Sequence, residues 1–476
     1  MRWFSGAAAA LAACSLAATV QAQSQTQGAG SATRPDQLRF RELYKELVET
    51  NTTLSEGSCT LAAERMATRL RAAGYAAADV RVLVPEGRPK DGALIATLHG
   101  SDAALKPILL FAHIDVVEAR REDWARDPFT LVEEDGFFYA RGSSDDKAQA
   151  AVWVDSLIRY RQEGFKARRG VKVALTCGEE TADVFNGVEH LLKTEPGALD
   201  AAFALSEGAG GRLDDQGRHV ALNIQAGEKV YQDFQLEITN PGGHSSRPVK
   251  DNAIVRLSAA LVRLNANDFP VALNGATRAY FAEMAKLTPQ HAADMRAISG
   301  GGVDAAAARR IAAADPSWNS MMRTTCVATE VQGGHAPNAL PQKATATVNC
   351  RILPGIAVAA VQADLARVFA DDAIKITAMG TADASSPPPL TAAILGPIRS
   401  VSARLWPGVP LVPTMSTGAT DNRFTNAAGI PTYGLTGFFA DPAGSNAHGL
   451  NERIRVRSLY EGRDFLYEVV KLYAAR

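Results

Sequence analysis

Histidines and carboxylates recur in this chain at the ends of short apolar runs. His113 and Asp115 follow the run 108–112. Asp145 and Asp146 follow the glycine-containing turn 141–144. Glu179 and Glu180 follow 171–177, Glu207 follows 201–205, and His448 stands between Ala447 and Gly449. Five segments thus present imidazole or carboxylate where an α/β sheet places its binding crevice. Such donors suit zinc or a similar divalent ion. Each has an ordinary explanation when taken singly. A histidine after a strand is usually a satisfied core or loop residue, a Glu-Glu pair is usually solvated, and Asp-Asp-Lys after a turn makes a good helix start. Together they read differently, because like charges collected at one sheet end repel unless cations neutralise them.

The elements that must hold these residues form two groups. Short apolar runs at 93–99, 108–112, 171–176 and 201–205 have strand length, and helical periodicity falls at 59–73, 146–163 and 184–194. Strands separated by helices predict an α/β sheet covered on both faces. Near residue 228 the texture changes. Segment 230–239 alternates apolar and polar residues, as a strand with one wet face does. A helix at 252–264, strands at 326–331 and 344–352, a helix at 356–369 and a strand at 373–379 complete a β-α-β-β-α-β order. The Ala-rich stretch 280–314 predicts extra helices inside that unit, and a last helix fits 457–475.

The expected architecture is therefore a mixed-sheet α/β/α domain, which carries the candidate catalytic residues, with an inserted α+β sandwich. Its parts are 35–227 and 383–476 for the catalytic domain and 228–382 for the insert. A chain of 476 residues exceeds one ordinary core, so two domains are the natural reading. The net charge of −1 and the lack of any basic tract exclude a nucleic-acid binder. No apolar stretch is long enough to span a membrane.

Arg2 precedes a small-residue apolar run from Gly6 to Val20, which ends at Val20-Gln21-Ala22. This reads as a secretory signal over 1–22 followed by a flexible leader over 23–34, and it predicts a periplasmic or secreted protein. Leu11-Ala12-Ala13-Cys14 also fits a lipoprotein signal that would leave Cys14 lipidated. After cleavage at Ala22, Cys59, Cys177, Cys326 and Cys350 remain, with no compact zinc spacing. Cys326 and Cys350 lie in two segments that could neighbour each other as strands, which favours that pair. Four buried free thiols are the alternative.

The ordered set of motifs resembles the M20 family of zinc-dependent aminoacylases, dipeptidases and carboxypeptidases. The stretches are 113–115 (HID), 141–147 (RGSSDDK), 178–180 (GEE), 206–208 (SEG), 242–248 (GGHSSRP), 351–355 (RILPG) and 448–453 (HGLNER), with weaker matches at 337–343 and 418–423. The resemblance implies two divalent ions, zinc first and cobalt or manganese as alternatives. His113 would bind one ion, His448 the other, and Asp145 would bridge them. Glu180 and Glu207 would complete one site each. Asp115 would orient His113 as an outer carboxylate, and Glu179 would be the general base and acid. His244 would stabilise the oxyanion, the insert that carries it serving as lid or dimerisation domain. Without the family, its Gly-Gly-His turn reads as structural. Asn338 and Arg351 would hold the substrate carboxylate and backbone, with Gly418, Thr420 and Arg423 lining the same pocket. Arg351 could instead serve an internal ion pair. Ala148 and Ala419 stand where many members have glycine, which bears on pocket shape and not on the metals.

The leading expectation is a di-zinc exopeptidase that cleaves an amide bond beside a free carboxylate. An N-acyl-amino-acid amidohydrolase would use the same machinery. A binding protein that lost turnover is the reading from a different class, and the presence of Glu179 opposes it. The substrate would be a small peptide or N-acyl amino acid, and the insert offers an edge for a homodimer.

Overall fold

The computed structural model describes residues 34–476 apart from 182–183, 303, 381 and 383–385. The signal segment, Cys14, the leader up to residue 33 and part of the linker at 383–389 lie outside the described residues.

Strand Ile108–His113 is buried along its whole length. It lies between Val171–Thr176 and Phe203–Ser206, parallel to both. Burial on both faces explains why these strands are continuous apolar runs and do not alternate. Further strands extend the sheet to ten and make it mixed: Ala93–Leu98 is antiparallel on one side, and Thr432–Gly434 and His219–Glu228 follow on the other. One face packs helices Pro35–Val48, Cys59–Ala72, Lys147–Gln162, Ala392–Leu405 and Val456–Ala474. The other packs Gly187–Thr194, Pro196–Leu199 and Asn422–Ala427. Because the three central strands are parallel neighbours, residues just after them emerge along one edge.

A second, antiparallel sheet has the order Thr325–Gly333, Lys343–Ile352, Val230–Thr239, Lys375–Met379. Its alternation buries Phe234, Leu236 and Val348 under helices Ala253–Ala266 and Val358–Phe369, with Leu257 and Leu365 facing in. The two sheets part within one residue. His219–Glu228 ends in the large sheet and Val230 begins in the small one. Lys229 lies between them, its N–H donating to the Ser416 carbonyl at 3.0 Å.

The Ala-rich stretch forms four helices, Gly275–Leu287, Ala292–Ser299, Ala305–Ala314 and Pro316–Met322, around Phe281, Met295, Ile311 and Met322. They do not simply enlarge the small sheet. Gly275–Leu287 rests on Leu411–Ser416 of the large sheet, and the Asn274 amide donates to Met415 Sδ at 3.3 Å. Disulfides join Cys326 to Cys350, as the strand neighbourhood suggests, and Cys59 to Cys177. The free-thiol alternative is set aside.

Candidate metal centre

Asp145 stands between two histidines. His113 Nε2 lies 3.1 Å from its Oδ1, and His448 Nε2 lies 3.2 Å from its Oδ2. Each histidine has a glutamate of its own: Glu207 Oε2 is 3.7 Å from His113 Nε2, and Glu180 Oε1 is 2.9 Å from His448 Nε2. The five candidate ligands therefore fall into two half-sites sharing one carboxylate.

Different elements bring them there. His113, Glu180 and Glu207 stand at or just past the ends of the three central parallel strands. Asp145 precedes helix Lys147–Gln162, with Asp146 at its N-cap, and the Asp145–Asp146 peptide is cis. His448 lies in a loop where Asn446, His448 and Asn451 have φ of 56°, 62° and 54°. Left-handed backbone is uncommon outside glycine and gathers at functional sites.

The surroundings of His113 fix its useful tautomer. Nδ1 is 3.1 Å from the Asp115 carbonyl oxygen, which can only accept. Nδ1 therefore carries a proton, and Nε2 faces Asp145. The Asp115 carboxylate is farther from Nδ1, at 3.7 Å. It accepts instead from the backbone N–H groups of Glu179 and Glu180 at 3.3 and 3.0 Å. Asp115 thus orients His113 chiefly through its main chain, and its side chain secures the Glu179–Glu180 turn. The same turn is tied down by the Cys59–Cys177 bond and by Gly178. At Gly178 φ is 92°, and a Cβ would lie 2.2 Å from the Phe185 carbonyl oxygen, so no larger residue fits.

The charge balance asks for cations. Burial, then the Glu207 charge, pushes the Glu179 carboxyl up to about 10. Burial, reinforced by Asp145, pushes Glu180 to about 7 against the opposing pull of His113. Burial and Glu207 also hold Asp146 well above the usual carboxylate range. For His113, burial is outweighed by the Glu207 charge and by the nearby Asp115 and Asp145 carboxylates, and the imidazole is raised well above its ordinary value. Protons held by so many neighbouring acids and imidazoles are what divalent ions displace. Two clusters, His113-Asp145-Glu180 and His113-Asp146-Glu207, have ligand atoms within 4.8 Å of one another. The residues fit two divalent ions, and zinc matches the nitrogen and oxygen donors. Cys59 and Cys177 also lie near Asp115, but both sulfurs are used in a disulfide.

The residue that joins the halves is not one the sequence singles out. The fully buried Glu452 carboxylate accepts from Arg141 Nη1 and from the N–H groups of Gly142, Ser144 and Asp145, at 2.8, 2.9, 2.8 and 3.0 Å. Arg141 Nη2 in turn donates to the Gly449 carbonyl at 2.9 Å. The turn bearing Asp145 and the loop bearing His448 are thereby one unit. The motif at 448–453 contains Glu452, but nothing in its spacing announces a partner about three hundred residues away in sequence. Asp421 is a second buried acid behind the site, accepting from Asn186 Nδ2 at 2.6 Å and pushed up to about 7 by burial.

The remaining candidates are not part of the cluster. His244 pairs with Ala339 in a short ribbon of the insert and is exposed. Its Nδ1 accepts from the Ser246 N–H at 3.1 Å, which leaves Nε2 as the donor in the neutral ring. Asn338 is next door, its carbonyl accepting from Ser245 N–H at 3.0 Å. Among the described residues, no hydrogen bond or ion pair joins His244 to the metal cluster. Arg351 is on Lys343–Ile352 with its guanidinium 4.6 Å from the Tyr231 ring centre. Burial lowers the Arg351 guanidinium, and the like charge of Arg423 adds to that. Thr420 donates through Oγ1 and N to Glu228 Oε2 at 2.8 and 3.2 Å, and Gly418 N–H donates to Ser416 Oγ at 3.1 Å.

A family model described as Peptidase family M20/M25/M40 matches residues 109–472. The chain is 29% identical over 385 residues to an N-fatty-acyl-amino acid synthase/hydrolase of Homo sapiens, covering 79% of this chain and 76% of the relative. It is 26% identical to aminoacylase-1 of Mus musculus, covering 78% and 80%. The solved M20 family metallo-carboxypeptidase from Sulfolobus solfataricus superimposes with a TM-score of 0.67 at 19% identity, over 91% of this chain and 99% of that one.

Proposed function

The chain belongs to the peptidase family M20/M25/M40 and is a metal-dependent hydrolase of small substrates, and from that footing we propose that it hydrolyses the amide bond of N-acyl amino acids. The observation that carries this reading is the likeness, over most of the chain, to a relative named for N-fatty-acyl-amino acids. The likeness to a carboxypeptidase at 19% identity speaks for the fold alone. The exopeptidase reading uses the same machinery and differs in what stands on the acyl side of the bond.

In this reading His113, Glu207 and Asp145 hold one divalent ion, and His448, Glu180 and Asp145 hold the other. Bound there, the pair supplies Lewis acidity that polarises a carbonyl and brings the pKa of water near neutrality. Glu179 has no such ligand duty. It takes a proton from the attacking water and gives it to the leaving nitrogen, so the C–N bond breaks and an acid and an amino acid leave. Asp115, Cys177 and Gly178 keep Glu179 in place. Arg351 binds the substrate carboxylate, with Gly418, Thr420 and Arg423 across the joint, whereas Asn338 sits by the His244 ribbon at the far end of the small sheet and reaches the substrate only together with His244. An anion there relieves the mutual repulsion of Arg351 and Arg423.

His244 donates from Nε2 to the oxygen on which charge develops. It must travel to do so, either by closure of its own insert or from a second copy. A homodimer is supported by the edge strand Thr325–Gly333, with Val327 and Val331 exposed, beside helix Ala253–Ala266 with Val255 and Val262 exposed. Export to an oxidising compartment is supported by the two disulfides, and detection of the mature chain outside the cytoplasm checks it.

The test is a panel on zinc-reconstituted protein: N-acyl amino acids, their carboxyl-amidated forms and free dipeptides. The free-acid N-acyl compounds should be cleaved fastest. Arg351→Ala should reduce their kcat/KM by about 10–100-fold, the scale of a charge-assisted hydrogen bond, and leave the amides nearly unchanged. Faster cleavage of free dipeptides would return the protein to the exopeptidase reading.

A further inference from the structure

A cavity of about 480 Å³ opens beside the cluster, with Asp145 and Glu207 on its wall. Its wall is built from strand Leu411–Ser416 and the segment 436–447, and among the described residues none of the insert lines it. Phe137, Ala209, Met415, Phe438, Ala440 and Ala447 give it its apolar surface. Neither Arg351, Asn338, His244, Glu179 nor Arg423 lines it.

We propose that this chamber receives the acyl group of the substrate, and that it takes a neutral hydrocarbon acyl chain in preference to a short or charged one. The inference rests on the N-acyl-amino-acid reading above. An N-acyl amino acid has one end that must be met by a cation and one that need not be. The cations Arg351 and Arg423 lie on the side of the insert and its joint, so the carboxylate belongs there. The scissile carbonyl must reach the cluster, and the chamber is what continues beyond it.

The walls suit an uncharged chain because their polar groups are already engaged. Asn223 Nδ2 donates to the Gly210 carbonyl at 2.9 Å, and Gln225 Nε2 to Glu228 Oε2 at 3.3 Å. Thr436 Oγ1 accepts from Phe438 N–H at 3.3 Å. Asp441 is ion-paired with Arg455, with Nε 3.0 Å from Oδ2. A free α-amine would find no unpaired carboxylate deep in the chamber, which disfavours a dipeptide. Arg453 and Arg455 lie with their guanidiniums 4.4 and 4.6 Å from the Phe137 ring centre. Arg453 is the one feature that would favour an anionic acyl tail, so the test includes one.

Zinc-loaded protein is assayed with N-acetyl-, N-octanoyl-, N-hexadecanoyl- and N-succinyl-leucine. Octanoyl and hexadecanoyl substrates should exceed acetyl at least 10-fold in kcat/KM, since each methylene brought out of water is worth about fourfold. Thr414→Phe projects a ring into the chamber from a partly exposed position that lines it. It should cancel that preference and leave acetyl-leucine within about threefold and the zinc content unchanged. Ala440→Trp, on an exposed wall residue, replaces it if Thr414→Phe does not fold. Long acyl substrates cleaved equally well by wild type and both variants would overturn the chamber and leave the N-acyl reading standing. A preference for succinyl over octanoyl would also overturn it, in favour of an anionic tail read by Arg453. No cleavage of any acyl-leucine, with dipeptides cleaved, would overturn both.

Discussion

The metal cluster and the His244 ribbon are held in opposite ways. His113 is 2% exposed, and Glu452, which braces Asp145, is fully buried. Every ligand segment is tied by hydrogen bonds or a disulfide to another part of the catalytic body, including the loop of His448, whose side chain is itself exposed. Among the described residues the His244 side chain bonds only with its neighbour Ser246, and both are exposed. Ions must be bound before substrate arrives, so their ligands gain from a fixed scaffold. A donor that serves only the developing oxyanion gains nothing from standing in place beforehand. The contrast separates what the protein builds in advance from what binding must complete.

The sharpest test within the rigid half is Glu179→Gln. It should retain two ions and lose about 10²–10⁴-fold in turnover, the usual worth of a positioned general base. Metal analysis beside the assay reads both, and full activity would break the division of labour between Glu179 and Glu180. In the exposed ribbon, His244→Ala should cost roughly 10²-fold in kcat with metal content unchanged. Mixing it with Glu179→Gln under verified subunit exchange should restore a fraction of activity if His244 acts across a dimer. Wild-type kcat would return the Gly-Gly-His turn to a structural role.

A milder change is Glu452→Gln, which keeps the shape but turns one accepting oxygen into a donor, losing two of the four hydrogen bonds. Outer partners of metal ligands are worth about 10–100-fold in affinity, and chelator competition should show a loss of that order. Unchanged affinity would mean that the Asp145 turn orders itself without the His448 loop.

The smallest expected effect lies at the joint between the two bodies. Burial pushes Glu228 from its usual 4.5 up to about 8, against hydrogen bonds from Thr420. The folded state thus holds a proton that the unfolded chain releases. The resulting stability is fully present below about pH 4.5 and is lost as pH rises through about 8. Glu228→Gln should flatten that part of a denaturant-midpoint series against pH.

The cluster is legible because its ligands follow apolar strands whose ends share an edge, and strand length is written in consecutive residues. The nearness of Asp115 to His113 is legible too, but the division between its carbonyl and its carboxylate depends on the Glu179–Glu180 turn folding over it. Glu452 is invisible as a brace, since its partners at 141–145 meet it only through tertiary structure. The order of the small sheet follows from alternation, as at 230–239. The sequence suggests extra helices at 280–314 inside that unit, whereas packing carries helix Gly275–Leu287 back to Leu411–Ser416. An Ala-rich amphipathic stretch says that it has an apolar face, not which body that face will meet. The Cys59–Cys177 bond is hidden for the same reason, while Cys326 and Cys350 lie on strands whose pairing can be guessed.

Neither disulfide crosses the joint at Glu228 and Lys229. One closes a span of 118 residues within the catalytic body and the other a span of 24 within the small sheet. On a chain-entropy view these restrict the unfolded chain by about 5 and about 3.5 kcal/mol. Oxidation therefore constrains each body and leaves the joint between them to non-covalent contacts. The covalent reinforcement of each body and the contacts at the joint therefore belong to separate parts of the sequence, so either can be altered, by evolution or by design, without touching the other.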